Sequence, residues 1–380
     1  MKLCLQSVFL LHTLFILSTP VVAQEDQNNR VIESRQINDN FYVFFGGNGL
    51  GANVGMSVGK DGVLLIDTMN ESSGPMLLEA IRKITDKPIK YVLNTHSDAD
   101  HSGGNSLFAA HGAVILAQEN ARYSRAVGEL YFKDELTLIF NEEEFVASHV
   151  IAHSYNDAVI YLPANNLVFM GDTFTTSWHP TFSTGGIEGQ YKALDIALEL
   201  ADEDTQIVPG HGELANREVL AEFRRDSGLW VHQIAELETQ DMSLDALAAD
   251  ESLRDIVNRF NRVNRPDFVP QNRLRRFIER TLSSDFVLKY PLPTHRLLAY
   301  EGWYSMEDGS MIEVKLMSES LYLLDKGNYM VQLIPVSETR FHMRGRLDDF
   351  LVFGIEEDGD AAGLSLMIDN DLVTGNRVLR

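Results

Sequence analysis

Four side chains able to bind a metal fall within six positions of the segment 94–105, Asn-Thr-His-Ser-Asp-Ala-Asp-His-Ser-Gly-Gly-Asn: His96, Asp98, Asp100 and His101. Imidazole nitrogens and carboxylate oxygens crowded in one loop can converge on one or two divalent cations. The competing reading is a polar loop that caps the next helix, with Asp100 or Ser102 as N-cap. A cap needs one such side chain, and this loop supplies two His and two Asp. Three more candidates follow apolar runs: His153 in Ala152-His-Ser-Tyr-Asn-Asp157, Asp172 in Val168-Phe-Met-Gly-Asp172, and His211 in Val208-Pro-Gly-His-Gly212. Ligands from distant sequence meet most readily on loops at the ends of a rigid sheet, and all these segments share that context.

The flanking sequence supplies such sheets. Residues 41–45, 53–58, 62–66 and 89–93 read as strands, and residues 75–85 as a helix. Helices are expected over 106–110 and 119–127, with a strand over 113–117 between them. Short strands follow over 144–151, 158–162 and 167–170, then helices over 191–201 and from 213 to about 238. The mixture predicts two sheets packed face to face and covered outside by helices. Shorter helices broken at Asn264-Arg-Pro266 and Val269-Pro270 fill residues 241–290. After Pro291-Leu-Pro293, alternating runs and turns such as Glu307-Asp-Gly309 predict a small antiparallel β domain over 291–380.

Composition narrows the partners. The chain has 380 residues, 44% hydrophobic and 23% charged, too long for one compact core. Residues 1–23 carry Lys2, an apolar stretch and the small residues Val-Val-Ala before an acidic Gln-Glu-Asp, the pattern of a secretory signal cleaved after Ala23. Gln6, His12 and Thr13 interrupt the stretch and argue against a stable membrane span. A periplasmic or secreted protein is expected, with residues 24–240 as its first domain. Its only cysteine, Cys4, would leave with the signal, so any metal must be held by nitrogen and oxygen. A formal net charge of −23 opposes nucleic-acid binding. The basic run Arg273-Leu-Arg275-Arg276 reads as one face of a helix, and a small-molecule substrate is the expected partner.

Taken in order, Asn-Thr-His-x-x-x-Asp-His-x-Gly-Gly-Asn and the segments around His153, Asp172 and His211 resemble the metallo-β-lactamase superfamily, from residue 41 to about residue 230. The resemblance implies an αβ/βα four-layer sandwich with two divalent metal ions, expected to be zinc with iron as the alternative. By position it assigns His96, Asp98 and His153 to one ion, Asp100, His101 and His211 to the other, and Asp172 to both. It also implies attack by a metal-activated hydroxide on an ester, lactone, thioester or lactam carbonyl, with Asp100 as a catalytic proton relay. Asp67 and Thr95 would orient ligands, and Asp157 is read as structural. Asp98 departs from the pattern, which usually has His there. A carboxylate makes such a centre less positive and should acidify a bound water less.

That departure keeps a non-haem diiron oxidoreductase of flavodiiron type as an alternative, although no flavin-binding domain follows. A β-lactamase in the narrow sense is another, with no lysine identified to hold the drug carboxylate. His149 is expected to be a satisfied core residue. Trp178, His179, Phe182 and Tyr155 are candidates for an apolar substrate cleft, and the loop 46–51 for a flap or a hairpin turn.

Overall fold

The computed structural model describes residues 31–124, 128–240, 242–286, 289–317, 319–325, 329–346, 349–356, 359–368 and 371–378. The expected signal segment, residues 1–23, lies outside them. Residues Ile32–Arg380 form one compact unit.

The first sheet has seven strands in sequence order: β1 (Glu33–Asn38), β2 (Phe41–Phe45), β3 (Val54–Gly59), β4 (Gly62–Ile66), β5 (Ile89–Leu93), β6 (Val114–Gln118) and β7 (Leu130–Phe132). The second has six: β8 (Glu135–Phe140), β9 (Glu143–Val150), β10 (Asp157–Leu162), β11 (Leu167–Phe169), β12 (Gln206–Val208) and β13 (Ala215–Asn216). Strand β4 shows why its sequence is apolar throughout. Leu64 and Ile66 face the space between the sheets with Phe145, Ile160 and Leu167, while Val63 and Leu65 face outward under Leu77 and Ile81. A strand buried on both faces has no solvent side to mark with polar residues.

Helices α1 (Gly74–Ile84), α2 (Ala99–Ser102) and α3 (Asn105–Ala110) belong to the first half of the domain. The second sheet is covered by α4 (Gly186–Leu200), α5 (Arg217–Glu238), α6 (Leu244–Ala249), α7 (Glu251–Asn258) and α8 (Gln271–Asp285), whose apolar faces share one core. Asn216 caps α5 by accepting from Val219 N at 3.0 Å. On α8 the buried residues include Leu274, Phe277, Ile278 and Thr281, the i, i+3, i+4, i+7 stripe of a core-facing helix. Trp230 of α5 stacks on Phe277 with ring centroids 4.1 Å apart and donates its indole N–H to Thr281 Oγ1 at 2.9 Å. Helices α6, α7 and α8 are thus part of the sandwich's outer layer. Truncating Trp230 to alanine would cost about 3–5 kcal/mol.

After the short helix α9 (Thr294–Leu297), the expected small β domain proves to be a closed barrel. Its eight strands are β14 (Gly302–Met306), β15 (Met311–Met317), β16 (Ser320–Asp325), β17 (Tyr329–Pro335), β18 (Arg340–Met343), β19 (Phe350–Ile355), β20 (Ala361–Ile368) and β21 (Asp371–Val378). Pairing of β14 with β21 removes both edges. Tyr300, Tyr304, Leu323, Phe341, Leu351 and Phe353 belong to its core. The helix expected over 119–127 is instead a 3₁₀ turn, Glu119–Tyr123, held at its start by Asn120 N donating to the Gln118 side chain at 2.7 Å. Residues 125–127 lie outside the described residues.

Strand direction brings the candidate loops together. Strand β10 is antiparallel to both β9 and β11, and β11 is parallel to β12, so β9, β11 and β12 end on one edge of the second sheet. The loops carrying His153, Asp172 and His211 leave from those ends, and they meet the loop that follows β5.

Candidate metal centre

The loop after β5 is organised by Asp67, at the end of β4. Its Oδ1 accepts Thr95 N at 2.8 Å, and its Oδ2 accepts Thr95 Oγ1 at 2.6 Å and pairs with His101 Nδ1 at 2.8 Å. Two carboxylate oxygens therefore fix the backbone beside His96 and turn His101 so that its Nε2 faces Asp172. This is the orienting role expected of Asp67 and Thr95. The capping alternative is answered by Asp98, not by Asp100 or Ser102. Asp98 takes the N-cap position of α2 and makes no side-chain cap bond. Its carboxylate lies 3.2 Å from His153 Nε2 and 3.7 Å from His96 Nε2.

All seven candidate residues converge, in two sets. His96, Asp98 and His153 offer one group of ligand atoms, and Asp100, His101, Asp172 and His211 the other, each group within 4.8 Å. Asp172 reaches both sets. Its Oδ1 lies 3.2 Å from His101 Nε2 and 3.3 Å from His211 Nε2, and its Oδ2 lies 3.8 Å from His153 Nε2. His211 Nε2 is also 3.2 Å from Asp100 Oδ2.

Electrostatics fit a cation. Burial alone would lower the pKa of His153 and His211, but hydrogen bonds to Asp98 and Asp100 respectively, with the charge of Asp172, raise each to about 9. His101 is raised well above its usual value against its burial by Asp172 and Asp67. Burial works to raise the Asp172 carboxyl, yet His101 and its other histidine neighbours hold it well below the usual range. Partial burial likewise raises Asp98 while His96 and His153 override it. Three carboxylates thus demand positive charge, which protons on the histidines supply when no metal does. The buried Nε2 of His96 has no hydrogen-bond partner among the described residues, although it faces Asp98. An orphaned imidazole nitrogen in a ring of carboxylates suits a metal ligand.

Several supports were not singled out in the sequence. Asn53 Nδ2 donates to Pro209 O at 3.0 Å and Gly212 O at 2.9 Å, and Asn53 N donates to Gly210 O at 2.8 Å, bracing the His211 loop. Gly171 has φ +50°, and a Cβ there would meet Thr95 Oγ1 at 2.8 Å. At Gly210 a Cβ would collide with Asp172 Oδ1, so this glycine makes the room in which the shared carboxylate sits. Asp157 accepts Ser154 N at 2.7 Å, Ser154 Oγ at 2.7 Å and Ala152 N at 3.2 Å, shaping the turn that presents His153. The loop 46–51 closes on itself through Gly51 N to Gly46 O at 3.1 Å and buries Leu50, as a packed turn does.

The expected aromatic cleft is corrected for His179 and Phe182, while Tyr155 does line the cleft beside His153. His179 and Phe182 are buried and stacked on Phe277, at 4.1 and 5.6 Å between ring centroids, because α8 covers them. Tyr155 is turned toward the barrel, edge-on to Tyr322 at 5.0 Å, and its hydroxyl accepts Gln332 N at 2.5 Å. His149 Nε2 meets Tyr155 O at 3.0 Å, a satisfied structural position. The cleft beside Asp98 and His153 is mixed, with Ser97, Asn120, Ser183 and Arg280 on its walls beside Tyr123 and Tyr155. The basic run on α8 is also more than a helix face, since Arg275 and Arg276 line a second cleft together with Arg280, Arg344 and Arg346.

Comparison with known proteins agrees with this architecture. Residues 47–211, the part of the chain that carries all seven candidate ligands, match the profile of the metallo-beta-lactamase superfamily. The probable hydroxyacylglutathione hydrolase glo2 of Schizosaccharomyces pombe is 29% identical over 144 residues, covering 37% of this chain and 55% of that protein. The hydroxyacylglutathione hydrolase of Nitrosococcus oceani is 25% identical over 190 residues, 49% of this chain and 72% of that protein. A third, from Pelagibacter ubique, is 29% identical over 136 residues, 34% of this chain and 56% of that protein. The chain spans about half the length of the first two curated relatives it matches. Among solved structures, the stereoselective inverting sec-alkylsulfatase Pisa1 from Pseudomonas sp. superposes with a TM-score of 0.53 at 17% identity, over 70% of this chain and 53% of that one. That likeness is one of fold.

Proposed function

We propose that this protein is an exported metal-dependent hydrolase that cleaves a thioester or a related ester or lactone, with two divalent ions, zinc by preference, held by the seven converged residues. One observation carries the reading: two sets of histidine and carboxylate ligands that share Asp172. Ions bound there would polarise the substrate carbonyl and make a water acidic enough to attack it. The protein supplies position and proton transfer. Burial raises the pKa of Asp100, but its hydrogen bond to His211 and the charge of His101 bring it below the ordinary range, so it rests as a carboxylate, a weak base that would hold a proton only in passing. Its side chain is 38% exposed, open enough to hand the proton on. Thioesters lead among the substrate classes because the sequence relatives are named for hydrolysis of hydroxyacylglutathione. Export rests on the leader read in residues 1–23. Among the described residues, no helix is long and apolar enough to cross a membrane.

Asp98 favours a second reading, since a carboxylate at this position also suits iron. Metal analysis of the purified protein paired with thioester hydrolysis separates the two. Two zinc ions per chain with turnover is the expected result. Iron with redox activity and no hydrolysis would replace the proposal by a diiron oxidoreductase, and turnover confined to a β-lactam would narrow it to a β-lactamase.

A further inference from the structure

A chain of net charge −23 gathers five arginines at one cleft of about 490 Å³. Arg275, Arg276 and Arg280 come from α8, and Arg344 and Arg346 from the turn after β18. Glu279 is the sole carboxylate among the described residues that line it. Arg275 is engaged by Asp245, and Arg346 by Asp349 at 2.9 Å. The guanidinium groups of Arg276, Arg280 and Arg344 have no ion-pair partner among the described residues. The Nε of Arg344 is buried with no hydrogen-bond partner among the described residues. Arg280 feels the crowding: burial and the neighbouring Arg276 lower its pKa, against the pull of Glu279. Burial drives His179 down to about 4, and Arg280 and Arg273 add to it.

Arginines spaced along one exposed helix would ordinarily be a solvated face, and three of these by themselves would be no more than that. The barrel changes the reading. It brings two further arginines, from the turn after β18, to the same hollow, where like charges repel and one guanidinium nitrogen loses water without gaining a partner among the described residues. Such an arrangement is stable when an anion completes it. The hollow also opens toward the metal centre. Tyr155, Ser183, Thr184 and Arg280 line both it and the cleft of about 330 Å³ that holds Asp98 and His153.

We infer that the cleft between α8 and the barrel is a subsite for an anionic part of the substrate, a group bearing at least two negative charges as carboxylates or phosphates. It lies on the portion of the molecule remote from the carbonyl under attack. Guanidinium groups pair bidentately with either oxyanion, so the chemistry is shared by a polycarboxylate and a phosphate ester. The inference rests on the hydrolase reading for the reaction, but not for the binding.

Three thioesters sharing an acetyl group test it: S-acetyl-N-acetylcysteamine, which is neutral, S-acetylglutathione, which offers carboxylates, and acetyl-coenzyme A, which offers phosphates. At least one charged substrate should exceed the neutral one by about tenfold or more in kcat/KM, mainly through KM, and which one identifies the oxyanion. In the Arg276→Gln/Arg344→Gln double variant that ratio should collapse to about twofold or less. In the wild-type protein the advantage should shrink with added salt, a readout that stands even if the variant fails to fold. Equal kcat/KM for all three in the wild type, or a loss in the variant that leaves the ratio unchanged, would overturn the subsite. If no thioester is cleaved, the hydrolase reading fails separately. Calorimetric binding of S-methylglutathione and of desulfo-coenzyme A then decides: binding of one, weakened about tenfold or more in the double variant, upholds the subsite, and no binding of either removes it.

Discussion

The metal centre and the arginine cleft adjoin each other and handle charge in opposite ways. At the metal centre every carboxylate faces an imidazole 3.2–3.8 Å away, and Asp172 faces three. The histidines can take up protons or give them to solvent when a cation arrives, so the centre stays near neutral either way. Guanidinium groups cannot do this, because they hold their protons at any ordinary pH. Arg276, Arg280 and Arg344 are therefore left with fixed charge that the fold does not match. A cluster that balances itself can wait for a metal. A cluster that does not is shaped for something the protein lacks until it binds.

The largest effect that would break this comparison is expected from Asp172→Ala. Since Asp172 serves both ligand sets, metal content should fall below two per chain and kcat/KM should drop by about three orders of magnitude, alike for charged and neutral thioesters. A variant that keeps its metals and its turnover would remove Asp172 from the centre. Asp67→Asn removes no ligand but loosens His101, which Asp67 holds at 2.8 Å, so metal affinity measured by competition with a chelator should weaken about 10–100-fold. Arg344→Gln should leave metal content as it is and lower the preference for an anionic thioester by about fivefold.

The pH dependence sharpens the contrast further. In chelator-treated protein His153 and His211 have pKa values raised from 6.5 to about 9, so their pairing stabilises the fold fully below pH 6.5 and is lost as pH rises through about 9. The urea midpoint of the metal-free protein should fall over that window, while the metal-loaded protein, whose histidines are already deprotonated, should not show the loss. The smallest effect belongs to Tyr155→Phe, which removes the acceptor for Gln332 N and should cost about 1 kcal/mol by denaturant unfolding.

The metal centre was far more legible in the sequence than the cleft beside it. His96, Asp98, Asp100 and His101 are neighbours in the chain, and His153, Asp172 and His211 each follow an apolar run, so residue type and strand ends were enough to collect them. Asn53 and Gly210 gave no such signal, because an asparagine after a loop and a glycine after a proline are common and their roles depend on what lies opposite. Of the arginines, the sequence marks only the run Arg273-Leu-Arg275-Arg276. Arg344 and Arg346 join them through the docking of the barrel, which no local pattern encodes. The same docking explains the error over the aromatic residues. Helix α8 supplies Phe277, whose ring covers His179 and Phe182, and the barrel supplies Tyr322 to Tyr155.

Tyr155 stands two residues after His153, and its hydroxyl and ring are both held by strands of the barrel. The barrel is thus a splint for the turn that carries His153. Exchanging this C-terminal module for another, whether by recombination or by engineering, would retune the affinity for the cation before a single substrate contact had changed.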